Sequence, residues 1–338
     1  MFKELLYTIY QRKDLTEEEM FSLLGEIFSG NTTDAQIGAF MGALATKGET
    51  YAELAGAARA MRSKAVRIET MAQNLIDTCG TGGDTSGTFN ISTVTAFVAA
   101  GGGAVVAKHG NRSISSRCGS ADVLEALGMN LDVDPEIVEE ALAEIGIGFL
   151  FAPKYHGAMK YAAKARKEVG LRSIFNMLGP LTNPAGTRRQ LLGVFAPELT
   201  EMFAQALQRL GAKRVLVVHG HDGLDEISVC APTRICELDN GQITTYDLSP
   251  ETYFGRRAEA EEIAGGSPAE NAAIAQDILS GGKGAKRDIV LINAGAAFMA
   301  AGLAENMGQG IEMAKKSIDS GAALDKLQTL ITFTRENG

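Results

Sequence analysis

Over the first 65 residues, apolar positions recur at the spacing of amphipathic helices. Phe2, Leu5, Leu6 and Ile9 share one face; Met20, Leu23, Leu24 and Ile27 mark a second helix, and Ile37, Phe40, Met41 and Leu44 a third. Thr16 with Glu19, and Thr50 with Glu53, have capping-box spacing and open the second and a fourth helix, while Gly48 stops the third. From Val66 the texture changes. Short apolar or β-branched runs at 75–77 (LID), 104–107 (AVVA), 190–195 (QLLGVF), 214–220 (RVLVVHG) and 288–295 (DIVLINAG) predict strands separated by helical patterns. Such alternation implies crossover connections and a mainly parallel sheet. Asn240-Gly241, between two alternating runs, predicts a hairpin with a tight primed turn. Residues 155–186 differ again, with a basic helical stretch (KYAAKARKEVG) followed by the turn-rich NMLGPLTNPAG. The fold class expected is α/β, a small all-helical lobe plus a larger lobe with a mainly parallel central sheet, and the functional cleft between them. Residues 1–66, joined by about 155–187, form the helical lobe; 67–154 and 188–338 form the α/β lobe.

Composition narrows the function classes. With 338 residues, 45% hydrophobic and 22% charged, the chain reads as a globular protein of about two domains. A net charge of -9 argues against nucleic-acid binding, which rests on Lys and Arg neutralising phosphates. Any anionic ligand then needs a local basic cluster. The longest apolar stretch, residues 94–107, is broken by glycines and too short to span a membrane. Cys79, Cys118, Cys230 and Cys236 form no CxxC pair and read as reduced thiols. A soluble, cytoplasmic protein is expected.

Four stretches carry candidate chemistry. Residues 79–93, CGTGGDTSGTFNIST, follow a predicted strand and precede a helical run. Gly80, Gly82, Gly83 and Gly87 cost backbone entropy on ordering, but they let N–H groups point inward beside a helix N-terminus. Thr88, Asn90, Ser92 and Thr93 add side-chain donors, so the loop suits a phosphate or pyrophosphate. It is neither a Walker A loop nor a GxGxxG fingerprint. In KHGNRSISSRCGSADVLEALG, residues 108–128, Lys108, His109, Arg112 and Arg117 gather positive charge at another strand end. Asn111, Ser113, Ser115, Ser116 and Ser120 supply donors for the oxygens of a phosphorylated substrate.

In HGHDGLDEIS, residues 219–228, His219 and His221 with Asp222 lack a third soft ligand for zinc. Adjacent Asp225 and Glu226 suit Mg2+ when a substrate pyrophosphate completes the shell. In residues 153–173, His156, Lys160, Lys164 and Arg166 are spaced along a predicted helix. That reads as a solvated basic face unless it lines the cleft, where a cation could hold a carboxylate. Cys79 and Cys118 read as small buried thiols rather than nucleophiles.

Together DTCGTGGDTSGTFNIST, KHGNRSISSRCGSADVLEALG, FNMLGPLTNPAG and HGHDGLDEIS closely resemble the anthranilate phosphoribosyltransferase family, in the right order and over essentially the whole chain. The resemblance implies transfer of the phosphoribosyl group of phosphoribosyl pyrophosphate to the amine of anthranilate in tryptophan biosynthesis, with pyrophosphate released. It implies contacts to phosphoribosyl pyrophosphate from Gly80, Gly82, Gly83, Asp84, Thr88, Asn90, Ile91, Ser92 and Thr93. Lys108 and the loop after it (His109, Gly110, Asn111, Arg112, Ser113, Ile114, Ser115, Ser116), with Ser120, would embrace the phosphates and ribose. Ser92, Asp225 and Glu226 would hold Mg2+, a pair of ions per subunit. Anthranilate would meet Gly80, Asn111 and Arg166, with His109, His156, Gly179 and Pro180 shaping its approach path. Lys108, Arg166 and His109 are the implied catalytic set: charge stabilisation, carboxylate clamp, and candidate acceptor of the amine proton. Arg117 and Cys118 take no specific role. A homodimer joined through the helical lobes is implied as well. Two rivals share the architecture: a pyrimidine-nucleoside phosphorylase, and a non-catalytic relative that binds nucleic acid. Asp225-Glu226 and the KHGN stretch count against the first, and the net charge of -9 against the second.

Overall fold

The computed structural model describes residues 1–72, 74–84, 86–113 and 117–338. Four helices open the chain: α1 (Phe2–Tyr10), α2 (Glu17–Phe28), α3 (Asp34–Lys47) and α4 (Tyr51–Lys64). Capping boxes form at Thr16–Glu19 and Thr50–Glu53 as the spacing predicts, and a third forms at Thr33–Gln36. Glu53 does more than cap. It is fully buried, and its carboxylate accepts from Leu15 N (2.9 Å), Thr50 N (2.9 Å) and Lys47 Nζ (2.9 Å). The α2–α4 packing is thereby tied to the chain entering α2. The basic helix Lys160–Val169 and the turn Ile174–Met177 pack into the same core, where Phe175 meets Phe28 and Phe40 edge-on.

The larger part is built on a seven-stranded sheet: β1 (Leu75–Gly80), β2 (Val105–Gly110), β3 (Ile147–Phe151), β4 (Arg189–Gly193), β5 (Arg214–Gly220), β6 (Thr233–Asp239) and β7 (Gln242–Leu248). The spatial order is β3-β2-β1-β4-β5-β6-β7, parallel from β3 to β5 and antiparallel beyond. The β6–β7 hairpin turns at Asn240-Gly241 with φ of 47° and 90°, the two left-handed residues of a primed turn. Along β5, Leu216 and Val218 enter one core while Val215 and Val217 enter the other, the period of two that a sheet covered on both faces requires.

One strand expectation fails, and one strand was not expected. Residues 288–295 are not a strand but part of the helix Ala285–Ala301, buried at every position from Ile289 to Ala301. A helix buried all round has no polar stripe, so its β-branched run cannot be told from a core strand by periodicity. The remaining parallel strand is instead β3, a short glycine-containing run whose apolar residues carried no alternation. His156 is also displaced from expectation: it follows the turn Ala152–Tyr155 and lies outside the helix that carries Lys160, Lys164 and Arg166.

Because the Leu15 and Thr50 N–H groups depend on one buried carboxylate that also pairs with Lys47, Glu53→Ala should cost about 3 kcal/mol. Urea unfolding checks this, and Glu53→Gln, which keeps an acceptor for those N–H groups, should lose less.

Candidate active site

The sheet reverses its winding between β1 and β4, and ligands of open α/β sheets gather outside the strand ends at such a point. Gly80 and Gly193 end those strands and are paired in register. Neither position has room for a side chain. A Cβ on Gly193 would lie 1.5 Å from the Asp225 carbonyl oxygen, and one on Gly80 would lie 2.5 Å from Asp225 Oδ2. The two glycines thus let the acidic loop after β5 settle onto the switch point. There Asp225 Oδ2 accepts from the N–H of Gly82 (2.9 Å) in the glycine loop. Glu226 Oε1 accepts from the N–H of Ser92 (3.0 Å) in the first turn of helix α5 (Ile91–Gly101). Gly82, Gly83 and Gly87 all hold positive φ, which explains their residue type.

Beneath this loop the ammonium of Lys108, only 3% exposed, donates to Thr78 O (2.5 Å) and Ser92 Oγ (3.3 Å). Thr78 Oγ1 in turn donates to Ser92 O (3.0 Å). Lys108 therefore supports the loop–helix junction from below rather than projecting from it. Burial lowers its pKa, opposed by the charge of Asp77. Burial, with Asp84 adding its charge, lifts the Asp225 carboxyl to about 7; burial and Asp225 together lift Glu226 well above the usual carboxylate range. Acidic groups outnumber cations here, and all are hard oxygen donors. Among the described residues no three His, Cys, Asp or Glu converge to hold an ion unaided. The donor set of two carboxylates and the Ser92 hydroxyl fits Mg2+, which keeps part of its shell for waters and substrate phosphates.

The two polar loops meet at Asn90. Rather than capping α5, its side chain donates to Cys118 O (3.1 Å) and accepts from Asn271 Nδ2 (3.1 Å). Thr88 bridges to Ala264, and Gly265 N donates to Gly87 O (2.9 Å). Ile91 and Thr93 in the same turn are both buried. Asp84 bonds the hydroxyl of Ser86.

The second loop is organised by Asp122, whose Oδ2 accepts from Ser113 N (3.0 Å) and Gly119 N (2.8 Å). Arg112 is directed at acids rather than left free for phosphate: it donates to Glu125 (2.8 and 3.0 Å) and Asp122 (3.2 Å). Ser120 Oγ accepts from Asn111 N (3.1 Å), and Gly110 leaves the space that this hydroxyl fills. Ile114, Ser115 and Ser116 lie outside the described residues.

Next to Lys108 on β2, His109 Nδ1 donates to the carbonyl of Gly179 (3.1 Å), so its Nε2 accepts from His156 Nε2 (3.1 Å). His156 Nδ1 is buried without a partner among the described residues. Burial brings His109 to about 3 and His156 to about 4, so both rings are neutral at physiological pH. A group so weakly basic does not serve as a strong general base. Pro180 turns its carbonyl to Gln190 Nε2 (2.8 Å). Arg166 is half-buried over the Phe175 ring (5.6 Å), its pKa lowered by burial, and no acid among the described residues pairs with it. Lys164 instead meets Asp34 (2.9 Å) and Lys160 stacks near Tyr161, the solvated face that a basic helix ordinarily presents.

Three further groups belong to the site. Arg172 stacks on Phe195 (4.4 Å) and donates to the Gly83 carbonyl, joining the segment after the basic helix to the glycine loop. Asp77 is fully buried, accepting from His109 N (3.1 Å) and Asn183 Nδ2 (2.8 Å). An aspartate inside an apolar strand was a legible signal for it; nothing local marks Arg172 or Asn183. His219 and His221 part company, one to Val194 O (2.7 Å) and the other to Asp247 (3.2 Å), so no zinc pair forms. Burial pushes the Cys79 thiol up, consistent with an inert residue.

The helical bundle domain of the glycosyl transferase family matches residues 3–65, and that family's a/b domain matches 72–324. The anthranilate phosphoribosyltransferase of Syntrophobacter fumaroxidans is 64% identical over 337 residues, covering 100% of both chains. The chain belongs to the anthranilate phosphoribosyltransferase family. Among solved structures of this family, the Thermus thermophilus enzyme matches with a TM-score of 0.93 at 44% identity, over 98% of this chain and 99% of that one. The Saccharomyces cerevisiae member, solved in complex with PRPP and Mg, matches with a TM-score of 0.90 at 28% identity, over 99% and 98%. These likenesses run through both lobes, as family membership requires.

The histidine pair gives a stability test. An unfolded imidazole titrates near 6.5, while these two titrate near 3 and 4 in the fold. Their contribution is therefore complete above pH 6.5, falls as pH drops below it, and is fully lost once pH has passed through the folded values. Between pH 7 and pH 5 each should lose about 2 kcal/mol. Denaturant unfolding at both pH values checks this: His109→Gln should lose less between them than the wild type, and equal losses would contradict a neutral pair.

Proposed function

We propose that the protein transfers the 5-phosphoribosyl group of phosphoribosyl pyrophosphate to the amine of anthranilate, giving N-(5-phosphoribosyl)anthranilate and pyrophosphate in tryptophan biosynthesis. The observation that carries this reading is the seating of Asp225 and Glu226 on the glycine loop and the α5 N-terminus at the switch point. Full-length likeness to anthranilate phosphoribosyltransferases supports the substrate pair. Nothing observed favours a nucleoside phosphorylase or a nucleic-acid binder.

Ser92, Asp225 and Glu226 would hold Mg2+, two ions per subunit, which when bound supplies positive charge against the departing pyrophosphate. The chain's own groups do the rest. Gly80, Gly82, Gly83, Asp84, Thr88, Asn90 and the backbone of Ile91 to Thr93 receive the phosphoribosyl pyrophosphate. The N–H groups of Gly82 and Ser92 are donors already aimed at anionic oxygen. Lys108 holds the Thr78–Ser92 junction and adds a fixed positive charge beneath it, with no reorganisation during reaction. His109, Gly110, Asn111, Ser113 and Ser120 would contact the phosphates and ribose, as would Ile114, Ser115 and Ser116, and Arg112 would do so by exchanging Glu125 and Asp122 for phosphate oxygen. On the acceptor side Gly80, Asn111 and Arg166 hold anthranilate, with His109, His156, Gly179 and Pro180 lining its path.

As the C1–oxygen bond breaks, charge collects on the pyrophosphate and C1 gains oxocarbenium character. The neutral aromatic amine then attacks from the opposite face. Holding both substrates in line supplies much of the acceleration. The arylammonium proton released afterwards is acidic enough to need no strong base, in keeping with two neutral histidines.

The lobe division belongs to the same proposal: residues 1–66 with about 155–187 on the acceptor side, and 67–154 with 188–338 on the phosphate side. A homodimer through the helical lobes and a cytoplasmic setting complete it. No helix among the described residues is long and apolar enough to cross a membrane.

The direct test follows anthranilate fluorescence with purified protein, phosphoribosyl pyrophosphate and Mg2+. Decay that needs all three, with equimolar pyrophosphate released, is the expected result; a flat trace from folded protein would refute it. Arg166→Ala should raise the anthranilate KM by about 10- to 100-fold, the worth of a lost charge-assisted bond, and leave phosphoribosyl pyrophosphate binding nearly unchanged. Steady-state kinetics with each substrate varied decides this, since equal loss on both sides would mean Arg166 is misassigned.

A further inference from the structure

The backbone that carries Asp225 and Glu226 leaves the sheet after β5, so it has no strand to satisfy it. It is nevertheless buried from Glu226 to Val229. Such a segment needs partners for its N–H and C=O groups. For Ile227 both come from a single side chain 66 residues away. Asn293 Oδ1 accepts from Ile227 N (3.0 Å), and Asn293 Nδ2 donates to Ile227 O (2.8 Å). The same Nδ2 also donates to Ile289 O (2.8 Å), one turn back on its own helix, which fixes the carboxamide's rotation. Asn293 is fully buried, the single amide side chain in a helix segment otherwise apolar from Ile289 to Ala301. Burying it without these bonds would cost stability, and an apolar residue would fill the space more cheaply. The position is explained by what it grips.

We infer that Asn293 is a positioning residue: it clamps Ile227 as one strand clamps another, and so fixes where the neighbouring carboxylates of Glu226 and Asp225 stand. The far end of the loop is held independently. Ser228 N donates to Thr233 Oγ1 (2.9 Å), and Ser228 Oγ donates to Asp222 Oδ2 (2.6 Å) while accepting from Cys230 N (2.9 Å). Ile227 is the point between these anchors and the acidic pair, and Asn293 alone among the described residues bonds both of its backbone groups. The role rests on the reading of Asp225 and Glu226 as the metal-holding pair. Groups behind metal ligands typically change affinity by about 10- to 100-fold when removed.

The test uses the full-length protein and Mn2+ as the probe, followed by electron paramagnetic resonance with saturating phosphoribosyl pyrophosphate and no acceptor, so that no turnover enters. Asn293→Leu should weaken Mn2+ binding about 10-fold, and Asn293→Gln, which keeps both ends of the carboxamide, should recover part of it. In steady state the Mg2+ requirement should rise while the anthranilate KM stays put. Val290→Ala, buried in the same helix, supplies the control: it should lose thermal stability and keep wild-type Mn2+ binding. If Asn293→Leu does not fold, Asn293→Ser carries the same comparison. Wild-type Mn2+ affinity in a folded Asn293→Leu or Asn293→Ser protein would overturn the positioning role, as would equal weakening in Val290→Ala. Absence of Mn2+ binding in the wild type would instead overturn the metal reading, and the positioning role with it.

Discussion

Two carboxylates held against backbone N–H groups at the point where the sheet changes direction are the constraint on which the rest of this structure depends. Asp225 and Glu226 reach that place only because Gly193 and Gly80 carry no side chain. Once there, they are shielded from water and repel each other and Asp84, and both hold their protons more tightly than free carboxylates do. Lys108, the glycine-loop N–H of Gly82 and the first turn of α5 offset part of that penalty. The raised proton affinity of both carboxyls records how costly their ionised forms are in the unliganded fold, and a bound cation, as proposed, would relieve that cost.

The acceptor side solves a complementary problem. Anthranilate arrives with a carboxylate and must present a neutral amine. Two buried imidazoles stay unprotonated, and Arg166 is stacked on Phe175 without an acid partner among the described residues, so the proposed clamp on that carboxylate would meet no competing acid or protonated histidine. Arg172 and the His109–Gly179 bond tie residues 172–179 to the glycine loop and to the end of β2 by direct contacts.

Much of the frame was legible in the chain because local signals and tertiary demands agree there. The Thr16, Thr50 and Asn240-Gly241 signals are each completed within a few residues, and the structure shows all of them. Residues 288–295 mislead for a physical reason: inside a core, helix and strand both demand unbroken apolar sequence, and only the alanines that follow favour the helix. At the site, the residue types of the four motifs were readable but their directions were not. Lys108 supports from below, Arg112 turns to Asp122 and Glu125, and Ile91 packs into the core. A spacing cannot reveal which of two neighbours a flexible cation will choose.

The residues that sequence reading missed share one property: they act on backbone. Asn293 bonds the main chain of Ile227, Asn183 the carbonyl of Ala107, and Arg172 the carbonyl of Gly83. A backbone group looks the same at every position, so no pattern in the chain announces that one of them is short of a partner. The shortage exists only once the fold has pulled that segment away from water and from any neighbouring strand. Side chains that meet substrate therefore appear as motifs, whereas side chains that hold the motif in place appear as isolated polar residues in apolar surroundings. Asp77 in β1 and Asn293 in its buried helix are both of that kind.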